Sequence, residues 1–312
     1  MNYTLAIDTS NYKTSCALLC THDRTYRAEG KLLSVPDGTL GLRQSDALFQ
    51  HVKELPVLLE NLMQGFDGTL AAVGVSDRPR ALAGSYMPCF LEGLSSARAI
   101  AAACRVPLHL FSHQQGHLAA ALLSAERLDL LKKPFLAWHL SGGTTELLLV
   151  SPGEQGMRAE IIGGTEDISA GQLIDRIGVA LGMPFPAGPH VERLALLSTA
   201  CEKAGVRMQN GYFSLSGMEN KIKAHLADGM PACDAASYTI HTVTHLLVRV
   251  SQQAIAKYRL PMIVSGGVSA CATVRDALRA LGDVSVASPA LAGDNAVGTA
   301  VLAAEREGIL CQ

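Results

Sequence analysis

Two pairs of histidines stand four residues apart, His113 with His117 and His241 with His245. On a helix that spacing places both imidazoles on one face, close enough to share a cation. His113-Gln114-Gln115-Gly116-His117 follows an apolar run that reads as a strand, so this pair would open a helix at the edge of a cleft. His241 and His245 lie among Val, Thr and Leu in mid-helix, where a half-buried helix face is the simpler reading. A zinc peptidase needs a glutamate directly after the first histidine as general base. Gln114 holds that place and cannot take a proton, which excludes the protease chemistry. A second kind of chemistry comes from two polar turns, Asp8-Thr9-Ser10 and Ser141-Gly142-Gly143-Thr144-Thr145, each closing an apolar hairpin. Such turns present backbone N–H groups to a phosphate, glycine lets the backbone approach it, and hydroxyls add donors. One such turn alone is an ordinary hairpin; two at equivalent places in a repeated pattern point to a shared anion. Ser265-Gly266-Gly267 reads as a strand-to-helix corner and fits a third wall, against which a nucleoside would lie.

The elements that must position these residues follow a duplicated plan. Residues 3–9 and 14–20 form a hairpin, 25–33 a third strand, 43–65 a helix, 70–75 a strand, 90–104 a small-residue helix and 106–111 a strand. In the first helix Leu48, Val52, Leu55, Leu58, Leu59 and Leu62 read as the core face. The order then restarts. Residues 135–140 and 146–150 form a hairpin and 159–162 a strand, followed by helices at 168–181, 190–200, 217–227 and 234–257. A buried strand at 262–264 and a helix at 270–281 come next, and Asp294 starts the last helix. Two copies of a meander with crossover helices give an α/β fold of two lobes, with the hairpin turns facing each other across a nucleotide cleft.

The bulk numbers narrow the class of protein. Of 312 residues 48% are apolar and 17% charged, which excludes a disordered chain. The apolar runs break well before the ~18 residues of a membrane span, and Met1–Thr4 leads straight into a strand, so a cytoplasmic protein without membrane contact is expected. Eight cysteines without a CxxC pair read as reduced, small apolar residues. With 26 Lys and Arg against 28 Asp and Glu there is no basic stripe, so tRNA would be held locally or through a partner.

Six segments, in order, resemble the motifs of the TsaD family of transfer-RNA threonylcarbamoyltransferases. They are FSHQQGHLAAAL, WHLSGGTTELLLV, TEDISAGQLIDRIGVALGMPFPAGPHVERLA, FSLSGMENKIK, IVSGGVSACATVR and LAGDNAVGTA. The resemblance runs nearly end to end and implies a duplicated RNase H-like, actin-like ATPase fold with an interlobe nucleotide cleft. It implies a first lobe over 1–111 with the C-terminal helix at about 295–312 packed back on it, and a second lobe over 112–294. It further implies one divalent metal, iron or zinc, on His113, His117 and Asp294. His139, Leu140, Ser141, Gly142, Gly143 and Thr144 would surround phosphates. Asp175 and Gly188 would hold the ribose, and Gly266, Gly267 and Cys271 would border the nucleoside. The ligand would be ATP or an acyl-AMP, with Mg²⁺ as an additional candidate ion. Asp8, Ser10 and Lys13 of the first hairpin are the candidate catalytic residues. The implied reaction moves threonylcarbamoyl from its AMP anhydride to N6 of a tRNA adenosine. The implied partner is a smaller homologous TsaB-like protein docking through the helices at 43–65 and 90–104.

The chain departs from the family pattern at several places. Asn11-Tyr12-Lys13 replaces two adjacent acids, Cys271 an asparagine and Thr144 a histidine, and Asp77-Arg78-Pro79-Arg80 stands where a Gly-Pro-Gly turn is usual. Scaffold, metal and ribose positions thus persist beside a rewritten loop, a pattern that also suits a divergent paralogue. Two alternatives follow: a metal- and nucleotide-binding partner without catalysis, and a carbamoyltransferase with a non-tRNA acceptor. A sugar or acid kinase on the same fold would need an aspartate base and has no use for the histidine pair.

Overall fold

The structure, a computed structural model, describes the chain except residues 36–41, 83, 155, 201–204, 289–290, 292–294 and 312. It divides into two compact units, Met1–Lys133 with Pro152–Arg158 and Gly293–Gln312, and Pro134–Ser151 with Ala159–Ala292.

The first unit is built on a five-stranded sheet of order β3-β2-β1-β4-β5. β1 (Asn2–Ser10) and β2 (Lys13–Cys20) form the antiparallel hairpin, closing on the pair Ser10 and Lys13, and β3 (Tyr26–Leu32) continues the meander. β4 (Thr69–Arg78) and β5 (Leu108–Ser112) add in parallel, each reached through a helix, α1 (Gln44–Met63) and α2 (Leu91–Cys104). Alternation along β1 divides the sheet between two layers. Leu5 and Ile7 join Cys16, Leu18, Val73 and Val75 under Leu55, Leu58 and Leu62 of α1 and Ala97 and Ala101 of α2. Thr4 and Asp8 turn the other way, toward α3 (His113–Ser124) and α9 (Asn295–Arg306), with Thr4 Oγ1 donating to Ala300 O at 2.9 Å. Residues 295–304 of α9 are all buried, because the sheet lies on one side of this helix and α3 on another.

The α1 face differs from the periodicity reading. Ala47, His51, Leu55, Leu58 and Leu62 are buried, whereas Val52 is exposed and Leu48 and Leu59 are only half-buried. Counting apolar letters placed the stripe too far round the helix, since the buried line includes a histidine. His51 Nδ1 lies 2.7 Å from Thr14 Oγ1 on β2, and burial pushes the imidazole pKa down to about 4. The folded protein therefore excludes a proton that the unfolded chain accepts below its ordinary pKa near 6.5. Stability attributable to His51 is complete above pH ~6.5 and falls as pH drops toward ~4, by up to about 3 kcal/mol. Denaturant melts at pH 7 and pH 5 are expected to show a smaller acid loss in His51→Gln than in wild type. Equal losses in both proteins would mean that His51 protonates without cost.

The second unit carries a seven-stranded sheet of order β12-β11-β6-β7-β8-β10-β9. β6 (Phe135–Leu140), β7 (Thr145–Gly153) and β8 (Gly156–Thr165) repeat the meander, with Pro152–Arg158 counted in the first unit. β11 (Met262–Ser265) lies parallel to β6, and β12 (Val284–Val286) parallel to β11. Helices α4 (Ala170–Ala180), α5 (Gly188–Ala195), α6 (Ser216–Ala227), α7 (Ala232–Tyr258) and α8 (Ala272–Arg279) surround a core that includes Trp138, Leu173, Phe213 and Leu247. β9 (Met208–Gln209), β10 (Tyr212–Phe213) and β12 are two or three residues long, too short for any periodicity to show. α5 starts and ends earlier than expected: Pro189 sits in its first turn, where its missing N–H costs nothing. Among the described residues no helix is long and apolar enough to cross a membrane.

Candidate functional site

The histidine pair is placed by a capped helix start. Ser112 is the N-cap of α3; its Oγ accepts from Gln115 N while Gln115 Oε1 accepts from Ser112 N. Gln115 is buried and also donates through Nε2 to Met157 O at 2.8 Å, so the first turn is fixed from both sides. His113 and His117 then stand on one face, ring centroids 4.6 Å apart. Asp8, at the end of β1, accepts from His113 Nδ1 at 2.8 Å and from Ser10 N at 3.2 Å. Burial pushes its carboxyl pKa up, but the His113 charge and hydrogen bond, helped by Ser76, outweigh this and bring it to about 2. Asp8 is therefore a fixed negative charge that orients an imidazole, and a poor base.

The Asn295 amide lies against the same ring, Nδ2 at 2.6 Å from Nδ1 and 3.0 Å from Nε2, with Oδ1 buried and without a partner. When the ring is neutral and Nδ1–H donates to Asp8, the lone pair sits on Nε2, where Asn295 Nδ2 lies 3.0 Å away. Two imidazoles and a spare amide oxygen are donors that suit a divalent ion such as zinc or iron. Among the described residues no three His, Cys, Asp or Glu side chains converge to hold a metal, and Asp294, the implied third ligand, lies outside the described residues. Lys13 lies on the same sheet face as Asp8, two positions along the hairpin, and leans across Gly30 of β3. In the rewritten loop Asn11 Nδ2 donates to Leu42 O, and Tyr12 is exposed. Arg78 is paired with Asp77 at 2.7 Å.

In the second unit the glycine turn is fastened to the start of α4. Ser169, the N-cap, donates to Gly142 O at 2.7 Å, and Ala170 N donates to Thr145 Oγ1 at 2.9 Å. A side chain at Gly171 would stand 2.6 Å from Ser141 O, so only glycine lets the turn sit this close. The N–H groups of Gly143 and Thr144 both donate to Ser141 Oγ, at 3.3 and 3.0 Å, so an incoming phosphate would compete with that hydroxyl.

Beside the turn lies a largely apolar chamber of about 350 Å³. Gly142, Asp175, Gly188, Gly267 and Cys271 border it, drawn from four separate stretches of the chain. His139, Leu140, Ser141, Thr144 and Gly266 are not among its lining residues; the Leu140 side chain is buried in the core, so only its backbone could meet a ligand. Asp175 Oδ1 accepts from Ala187 N at 2.8 Å, which binds α4 to the start of α5. Burial raises the Cys271 thiol pKa to about 11, so it lines the chamber as an uncharged SH. The corner after β11 leads into a 3-10 turn, Gly267–Ala270, and α8 begins only at Ala272. Glu192 accepts from Ala272 N at 2.6 Å and also borders the chamber, as do Ile174, Phe185 and Ile240. Sequence reasoning passed over these four. Glu192 stands one turn beyond Gly188 on α5, which was the available signal.

The two sheets, each opening on a three-stranded meander, define the duplicated two-lobed fold of the actin-like ATPase superfamily. Full-length HypF in its phosphate- and nucleotide-bound form is similar over 97% of this chain at 13% identity and a TM-score of 0.62. The chain spans about half, 55%, of HypF. A ROK family protein from Streptococcus pneumoniae matches over 98% of this chain and 99% of its own, at 14% identity and a TM-score of 0.54. Residues 41–301 match the TsaD family, tRNA N6-adenosine threonylcarbamoyltransferase, and the chain belongs to that family. Among curated relatives, the tRNA N6-adenosine threonylcarbamoyltransferase of Halalkalibacterium halodurans is 31% identical over 290 residues, covering 88% of this chain and 80% of the relative. That of Geobacillus kaustophilus is 34% identical over 271 residues, covering 80% and 75%.

Proposed function

We propose that this chain transfers a threonylcarbamoyl group from its mixed anhydride with AMP to N6 of adenosine in tRNA. One observation carries the reading beyond family membership. Residues scattered from 142 to 271 that the motifs associate with the nucleotide border a single chamber, with the Asp175 carboxylate at its wall. In the reaction the N6 amine attacks the carbamoyl carbon and loses a proton, a C–N bond forms, and the bond to the AMP phosphate breaks. AMP leaves with the electron pair. The chain's own part is to bind and orient: Asp175 and Gly188 receive the ribose, and the N–H groups of the 141–144 turn receive the phosphate.

His113 and His117 would hold the metal, iron or zinc, with Asp8 fixing the His113 tautomer and Asn295 Oδ1 close by. A metal bound there supplies a Lewis acid for an acyl-phosphate oxygen. Mg²⁺ would accompany the phosphates when ATP is the ligand. The partner would be a smaller TsaB-like homologue; the outward Phe49, Val52, Val57 and Met63 of α1 favour an apolar docking surface there. The seven free cysteines among the described residues fit the reducing cytoplasm. The alternatives, a partner without catalysis or a non-tRNA acceptor, are not favoured by the family match.

The test supplies metal-loaded protein, partner proteins of the host, threonylcarbamoyl-AMP and unmodified tRNA, and searches the digested RNA by mass spectrometry. Threonylcarbamoyladenosine is the expected product. Fully loaded protein that binds nucleotide yet modifies no tRNA would defeat the reading.

A further inference from the structure

The outer face of α4 lines a second, larger cavity of about 770 Å³. Gln172, Asp175, Arg176, Val179 and Ala180 recur at helical spacing along it, while Leu173, Ile174 and Ile177 face the core. The cavity shares Gly142, Asp175 and Phe185 with the nucleoside chamber, so the two are neighbours across one wall. Its lining combines two chemistries. Part of it is apolar and open, with Phe185 76% exposed and Val179 56% exposed. Another part is cationic. Glu219 on α6, its side chain only 10% exposed, accepts from Arg176 Nη1 at 2.9 Å and from Lys223 Nζ at 2.5 Å. Burial pushes the Glu219 pKa up, but Lys223 and Arg176 together bring it below its ordinary value. One carboxylate thus holds two long cations side by side and neutralises only one of them. Arg176 and Lys223 stay about half exposed, at 48% and 46%, with further N–H donors to offer.

An exposed aromatic ring next to two tethered cations is the pairing that recognises an unpaired nucleotide, base on the ring and phosphate on the charges. A surface ion-pair cluster alone would account for the cations, whereas the open Phe185 ring adds a flat apolar face to the lining of the same cavity. We infer that this second cavity seats an unpaired nucleotide of the acceptor RNA, its base stacked on Phe185 and its phosphodiester held by Arg176 and Lys223. The inference rests on the proposed transfer to tRNA and says where a chain of net charge −2 finds its local grip on RNA. The competing occupant is the phosphate tail of the nucleotide in the adjoining chamber.

The experiment measures two affinities on full-length protein. One is for AMP, by calorimetry; the other is for a fluorescent, unmodified anticodon-loop oligonucleotide, by anisotropy. The variants are Arg176→Gln with Lys223→Gln, and separately Phe185→Ala. Arg176 and Lys223 are about half exposed and Phe185 is 76% exposed, so the fold should survive, which thermal melts will check. The double variant is expected to bind AMP within about twofold of wild type and RNA about tenfold more weakly, with a salt slope reduced by about 0.7 per lost phosphate contact. Phe185→Ala should weaken RNA by about tenfold and more than it weakens AMP, since the ring borders both chambers. RNA affinity unchanged in both variants overturns the inference, as does wild-type protein that binds no RNA. Equal loss of AMP and RNA in the double variant also overturns it and assigns the cations to the nucleotide's own phosphates. If wild type binds RNA through these residues yet forms no threonylcarbamoyladenosine, the proposed reaction fails while the subsite stands.

Discussion

If the proposed metal sits on the histidine pair, His113→Ala is expected to abolish metal binding and to lower threonylcarbamoyl transfer by about 10³-fold or more, the scale of several kcal/mol that a Lewis acid would contribute. Asp8→Asn should fall between this variant and wild type, with metal affinity and turnover reduced about 10- to 100-fold. The reason for the graded result is the 2.8 Å bond between Asp8 and His113 Nδ1. A carboxylate only accepts, so it fixes the proton on Nδ1 and the lone pair on Nε2. An asparagine of the same shape can present its NH₂ group instead, which favours the opposite tautomer. It also removes a buried charge whose carboxyl pKa of about 2 keeps it ionised at every working pH. Metal content measured by mass spectrometry, beside single-turnover assays, separates the two effects. An Asp8→Asn enzyme with full metal and full activity would show that His113 needs no orienting partner.

Much of this arrangement was legible in the sequence because its carriers are local. Each hairpin announces itself by two apolar runs and a polar turn, and Ser112-x-x-Gln115 is a written helix start that fixes where His113 and His117 point. The six motifs in order gave the family. What escaped depends on long-range packing. Nothing around His51 says that it will be buried against Thr14 at the place where α1 crosses β2. An exposed Phe185 cannot be told in sequence from a core phenylalanine, and its flanking prolines read only as a loop. Glu219 looks like one member of a charged helix face until Arg176, 43 residues earlier, folds beside it. The Asn11-Tyr12-Lys13 loop read as a serious loss of acids beside the reacting centre. In the structure Asp8 is the residue that reaches His113, and Lys13 leans away across β3.

Gly298→Ala should be the most damaging single methyl group in the first unit. A Cβ built on Gly298 stands 1.9 Å from Gly116 O and 2.6 Å from Ala120 N. Both are backbone atoms of α3, so no rotamer relieves the clash and the helices must separate. Separation is blocked on the far side, where a Cβ on Gly74 of β4 would already lie 2.9 Å from Thr299 O of α9. Helix α9 is therefore wedged between sheet and α3, and the strain spreads through both contacts. Overpacking at one site costs about 1–3 kcal/mol, and a backbone collision without an escape route puts this variant at or above the upper end. A loss of about 3 kcal/mol corresponds to roughly 10 °C in melting temperature for a unit of this size. The consequence reaches function, because α3 carries His113 and His117 and α9 carries Asn295. Any shift between these helices changes the spacing of the donors, so metal affinity should fall along with the melting temperature. Gly217→Ala on α6, where a new Cβ meets nothing within 4 Å, is the control and should change stability by no more than about 0.5 kcal/mol. Indistinguishable melting curves for the two variants would mean that α3 and α9 have slack the close approach at Gly116 does not reveal.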